Sequence, residues 1–302
     1  MAMPGMRMLR RRPAPSTTAA AVSTRATLRP HRRHASSAAA TVNDEDSRWA
    51  LMQMTDASLP TGGFAHSAGL EAAWQQGRVA DTQQLLGFVR AAVGQAAHSG
   101  APFVAAAHAA AGGIVSAPPT TQADALRAWA EIDGRHHALI CGNAAATRAS
   151  KLQGSALLRV AEPLLADAGA PLPASAAARS AVVELQEALR SPSAAAGGAT
   201  VHGHHAPVFG LVGGMLQMPV DVLTEAYLFT MSRDLISAAV RLGIVGPMHG
   251  VALQRQLQPL VGSLLEEVDA LGIDEFSAAQ TAPLIELLQG NHSLLYSRLF
   301  QS

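Results

Sequence analysis

The sequence is poor in the residues on which most enzymes and small stapled domains depend. Of its 302 residues one is cysteine, Cys141, which excludes an internal disulfide and any zinc site built on a cysteine pair. As a lone thiol flanked by apolar residues, Cys141 is expected to be a buried small side chain. Lysine occurs once, at Lys151, between Ser150 and Leu152, so the phosphate loop GxxxxGK[ST] is absent. Aromatic residues make up only 4% of the chain while apolar residues reach 49%. Alanine supplies much of that apolar content, and it is the strongest helix former. Runs alternating apolar and polar with β-branched residues are scarce, which points to an all-α fold.

Acidic residues are missing from residues 1–42, which carry eight arginines. The formal net charge of zero therefore hides an uneven distribution. Residues 43–302 hold 14 basic against all 22 acidic residues, and so acidic a body argues against nucleic-acid binding. The Arg-, Ser- and Ala-rich leader lacks the apolar run of a secretory signal. It reads as an organellar transit peptide or as a disordered leader, and is set apart from a helical domain over 43–302. Residues 91–123 and 191–220 contain no Asp, Glu, Lys or Arg. Both are rich in alanine and glycine and interrupted by proline and histidine, so neither is expected to span a membrane.

Helical periodicity recurs through residues 43–302. A short helix around Trp49 and Met52 stops before Pro60, and a second is expected from Phe64 to Gln76. Asp81 followed by Gln84 caps a third, with Leu85, Phe88, Val89 and Val93 on one face. Helices follow with Leu126, Trp129, Ile132, His136 and Ile140 in register, then over 148–165 and 175–190. The stretch 191–203 is loop-like. A glycine-weakened helix over 207–217 precedes one capped by Asp221 and running to Leu242. Leu253, Leu257, Leu260, Leu264, Val268 and Leu271 mark the next, which Pro259 should kink or divide. Ser277 with Gln280 is expected to open the last. Helices with short connectors and no internal repeat imply one compact multi-helix domain.

Few groups suggest chemistry. His202, His204 and His205 form the best metal candidate, since imidazole suits nickel, zinc or copper. No cysteine or carboxylate lies within ten residues of them, and a polar loop leading into a helix, with His205 near the helix N-terminus, is the simpler account of them. His136 falls on an apolar helix face and reads as a satisfied core histidine. Gly62-Gly63 can reverse the chain, and an anion nest there would lack a nearby cation in sequence. Ser67 beside His66 is no hydrolase signal, because adjacent side chains rarely face one another and GxSxG is absent. The C-terminal peptide Leu294-Leu295-Tyr296-Ser297-Arg298-Leu299-Phe300 is unusually apolar and aromatic for a chain end. It either folds back on its own domain or docks on a partner.

Five blocks in order resemble the UreF family of urease accessory proteins. They are Ser58-Leu59-Pro60-Thr61-Gly62-Gly63-Phe64, Arg148-Ala149-Ser150 with Gln153-Gly154, His205 with Val208-Phe209-Gly210, Tyr227-Leu228-Phe229 with Ser237 to Leu242, and Leu295 to Phe300. The resemblance implies an all-α chaperone that is not an enzyme and holds no stably bound cofactor. It implies binding to UreD (also called UreH), recruitment of the GTPase UreG, and docking on apo-urease, with nickel handled by the complex. A homodimer within that complex is implied as well. Partner contacts are expected at Pro60, Gly62, Gly63 and Phe64, and at Tyr296, Arg298, Leu299 and Phe300. The family likeness implies a cytoplasmic protein, or an organellar one if residues 1–42 are a transit peptide. The alternative function is a nickel carrier using His202, His204 and His205.

Overall fold

A computed structural model describes residues 44–116, 119–166, 172–191 and 199–302. The leader expected over 1–42 and most of the linker over 191–203 lie outside these residues. Eleven α-helices are described: α1 Asp44–Met54, α2 Leu70–Gln75, α3 Thr82–Ser99, α4 Ala101–Ser116, α5 Pro119–Ile140, α6 Ala144–Ala166, α7 Leu172–Arg190, α8 His205–Met215, α9 Val220–Arg241, α10 Pro247–Ala270 and α11 Pro283–Asn291. Short 3₁₀ turns occur at Gly63–Ala65 and His292–Leu294. The described chain is all-α, and its helices share one apolar core.

Two helices drawn from the charge-free stretches, α4 and α8, pack together in the core. α4 and α8 pack against each other more extensively than any other pair of described helices. A helix that is apolar all round must be surrounded by protein, and nearly every residue of α8 is buried. Glycine explains how close the pair comes. A Cβ at Gly210 would sit 2.2 Å from the Val104 carbonyl oxygen, and one at Gly214 would sit 2.7 Å from the carbonyl oxygen of His108. The glycines that weaken α8 as an isolated helix thus let two backbones approach. α6, α5 and α9 enclose α8 further, and α10 packs along α9. No described helix is long and apolar enough to cross a membrane.

Several local expectations are corrected. The helix expected from Phe64 to Gln76 is broken, because Ala68 and Gly69 both take positive φ and only Leu70–Gln75 is α-helical. The helix α4 was not foreseen; its 16 residues include no Asp, Glu, Lys or Arg, and its exposed positions Ala109, Gly112 and Gly113 give little amphipathic contrast with the buried ones. α9 is entered through Pro219, with Asp221 in its first turn rather than at the cap. α10 runs unbroken through Pro259. Ser277 closes a turn with Asp274, its backbone N–H donating to Asp274 Oδ1 at 3.0 Å, and the last α-helix begins only at Pro283. Cys141 lies exposed past the end of α5, not in the core.

Candidate functional site

The turn over 60–64 and the C-terminal peptide meet on one surface. Gly62 has φ 81°, a left-handed conformation that glycine adopts without a steric penalty, and it sends the chain into the Gly63–Ala65 turn. Gly63 is buried, and a Cβ there would strike Asp234 Oδ2 at 2.2 Å. Phe64 therefore projects outward and is exposed. The Arg241 guanidinium, from the last turn of α9, lies over the Phe64 ring at 3.6 Å and over the Phe300 ring at 4.1 Å. Arg241 also donates to the Phe64 carbonyl oxygen. A cation between two aromatic faces is attracted to both ring quadrupoles and ties the turn to the tail.

Beneath that stack the tail is anchored by a carboxylate. Glu71 on α2 is buried, and its Oε1 accepts the Leu299 N–H at 2.6 Å while Oε2 accepts the Phe300 N–H at 3.2 Å. Glu71 Oε2 also lies 3.0 Å from His292 Nε2. The Ser67 N–H donates to the Ser302 backbone oxygen at 2.6 Å, the Gln301 N–H donates to Ala65 oxygen at 2.8 Å, and His66 Nδ1 pairs with Ser302 Oγ at 2.6 Å. Phe300 is consequently buried in its own domain. Leu294, Tyr296, Arg298 and Leu299 remain exposed, as does Pro60. The two alternatives for this peptide divide along it: the backbone and Phe300 fold back, while the other side chains face solvent.

The histidine-rich segment is built around Asp133 of α5. This buried carboxylate accepts the His202 and Gly203 N–H groups at Oδ2 (2.6 and 2.8 Å) and the His204 N–H at Oδ1 (3.0 Å). Burial pushes its pKa up, and the three N–H bonds oppose that rise. A carboxylate enclosed by successive backbone N–H groups at the entrance to α8 also faces the positive end of the helix dipole. Sequence reasoning missed Asp133 because it lies about 70 residues from the loop it holds. The histidines do not meet as expected. His137 of α5 joins His202 and His204, whereas the His205 ring turns toward Phe209 and Tyr227, each 5.7 Å away between centroids. Burial is the first cause lowering the pKa of His137, His202 and His204, the last to about 2, so these rings are neutral.

His136 is buried as expected but is not satisfied. Its Nδ1 has no hydrogen-bond partner among the described residues. Its pKa is pushed down to about 3 by burial, with smaller contributions from His205 and His137. It borders a cavity of about 150 Å³ that His66, His205 and Tyr227 also line.

The UreF family model matches residues 79–258. The chain is 34% identical over 262 residues to urease accessory protein F of Oryza sativa subsp. japonica, covering 87% of each chain. It is 35% identical over 255 residues to urease accessory protein F of Arabidopsis thaliana, covering 84% of this chain and 92% of that one. A bacterial relative, urease accessory protein UreF of Paenarthrobacter aurescens, is 28% identical over 253 residues, 84% of this chain and 97% of the relative.

Proposed function

This chain belongs to the UreF family of urease accessory proteins, and from that premise we propose that it acts by contact, as a scaffold holding UreD and the GTPase UreG on apo-urease during nickel insertion. The surface formed by Phe64, Tyr296, Arg298 and Leu299 is the docking face for UreD. The observation that carries this reading is the division within the tail. Its backbone is clasped by Glu71 while Leu294, Tyr296 and Leu299 are held outward, with Tyr296 fully exposed. Solvent-facing aromatic, arginine and leucine side chains on a pre-ordered backbone suit an interface, because little ordering entropy remains to be lost on association. Nickel is cargo of the assembled complex in this reading, and a pair of these chains occupies each complex.

The test is co-purification of UreD with a Tyr296→Ala, Arg298→Ala, Leu299→Ala triple variant. These side chains are exposed, so helicity by circular dichroism should match the parent protein while UreD is lost. Undiminished UreD recovery by the folded variant would remove the tail from the docking face.

A further inference from the structure

Three imidazoles from two separate segments converge beside Asp133. One ligand nitrogen each from His137, His202 and His204 lies within 4.8 Å of the other two. His137 Nδ1 and His204 Nε2 are 3.0 Å apart. Two nitrogens bound to one ion at about 2.1 Å, at octahedral or tetrahedral angles, are themselves about 3.0–3.4 Å apart. This pair therefore already has the spacing that a shared ion requires.

The orientation of the buried ring is set from behind. His204 Nδ1 lies 3.1 Å from Ser150 Oγ, the same hydroxyl that accepts the His205 N–H at 3.1 Å. An outer hydrogen bond of this kind selects the tautomer and presents the opposite nitrogen as ligand. His202 and His204 are carried by backbone whose N–H groups are bonded to Asp133, so their placement does not depend on the imidazoles themselves. His137 and His202 are half-buried and open to solvent, with rings stacked at 3.9 Å between centroids. A turn of the His202 ring out of that stack closes the set. Asp133 is the carboxylate beside the group. Lys151 is the cation whose field reaches all three rings and works against a bound ion.

We propose that His137, His202 and His204 form a three-imidazole site for one divalent transition-metal ion of the nickel, zinc and copper class, completed by water, which fastens α5 to the segment entering α8. Neutral nitrogen donors select such ions over magnesium and calcium, which prefer oxygen. The site does not rest on the scaffold reading, and His205 is not one of its ligands.

The experiment uses the untagged full-length chain, freed of metal and titrated calorimetrically with nickel chloride, zinc chloride and, separately, magnesium chloride. Saturable one-to-one binding of nickel or zinc, and none of magnesium, is expected. His137→Ala and His202→Ala should each weaken binding about tenfold or more. Both leave the backbone bonds to Asp133 in place, and circular dichroism should confirm their fold. Ser150→Ala should weaken binding about 10–100-fold through the outer hydrogen bond. His249→Ala, at an exposed position on α10, should bind as the parent does. Absence of saturable nickel and zinc binding, equal binding by the folded His137→Ala and His202→Ala variants, or equal binding of magnesium would overturn the site. None of these readouts involves UreD, so the outcome is independent of the docking test.

Discussion

Glu71 and His292 form a buried pair, Oε2 to Nε2 3.0 Å, although 221 residues separate them in the chain. The same carboxylate accepts the Leu299 and Phe300 N–H groups, so one side chain joins α2, the turn after α11 and the tail. Glu71→Ala leaves the Leu299 and Phe300 N–H groups and the His292 ring without their acceptor at once. The expected cost is about 3 kcal/mol or more, at about 1–3 kcal/mol for each buried donor left without an acceptor. Denaturant unfolding measures it, and hydrogen exchange should show residues 294–302 losing protection first. Glu71→Gln, which keeps one acceptor oxygen, should fall between parent and Glu71→Ala.

The tail should separate cleanly into anchor and surface. Phe300→Ala is expected to cost about 3 kcal/mol or more, since it empties a buried aromatic site and removes one of the two rings on Arg241. Tyr296→Ala should leave stability within about 0.5 kcal/mol. Comparable losses for both in urea unfolding would mean that Tyr296 is packed in solution. Deleting residues 294–302 removes both kinds of group together, so point variants are the sharper probe of binding.

Glycine positions along the helices should split by what surrounds them. Gly210→Ala places a Cβ against the Val104 backbone, which cannot rotate away, and should cost about 1–3 kcal/mol despite alanine's better helix propensity. Gly262→Ala on α10 meets nothing within 4 Å and should stabilise by about 0.5–1 kcal/mol. Thermal melting of the two variants should move in opposite directions.

Asp133→Ala leaves three backbone N–H groups without their acceptor, each costing about 1–3 kcal/mol where it is buried. A loss of about 3 kcal/mol or more in chemical unfolding is expected, with residues 199–204 becoming the earliest site of proteolysis. Asp133→Asn should be milder, because its amide oxygen can still accept part of the set.

Stability should fall on acidification before the carboxylates titrate. Burial holds His66 at about 4 and His136 at about 3, against an ordinary value of 6.5. The folded state thus binds fewer protons than the unfolded chain below pH 6.5. The stability tied to these neutral rings is complete above pH 6.5 and is lost progressively as pH falls toward 4 for His66 and 3 for His136. Urea midpoints should be flat from pH 8 to 7 and decline from 6.5 to 4.5. His136→Gln should shallow that decline; an unchanged slope would mean that His136 is protonated in the fold.

Helix identity was legible wherever the wet face of a helix carries polar or charged residues. α3 carried both its Asp81 cap, with the Gln84 N–H donating to Oδ1 at 2.8 Å, and its apolar stripe. α10 was legible by its leucine spacing, though Pro259 suggested a break that the packed helix does not make. α4 was illegible because its solvent-facing positions, among them Ala109, Gly112 and Gly113, are alanine and glycine rather than charged residues, so the periodic contrast on which such reading depends is missing. Cys141 misled in the opposite direction, as apolar neighbours in sequence did not bring it into the core.

The candidate sites show the same boundary at longer range. Composition and local period determined that this chain is helical, and the order of short motifs determined its family, because both are properties of neighbouring residues. That Arg241 stands between Phe64 and Phe300, that Glu71 holds the tail, and that His137 rather than His205 joins His204 were decided by tertiary structure alone. Each unites residues 59 or more positions apart, and their meeting depends on how helices cross and how closely glycine lets them approach. A one-dimensional pattern carries no term for that geometry.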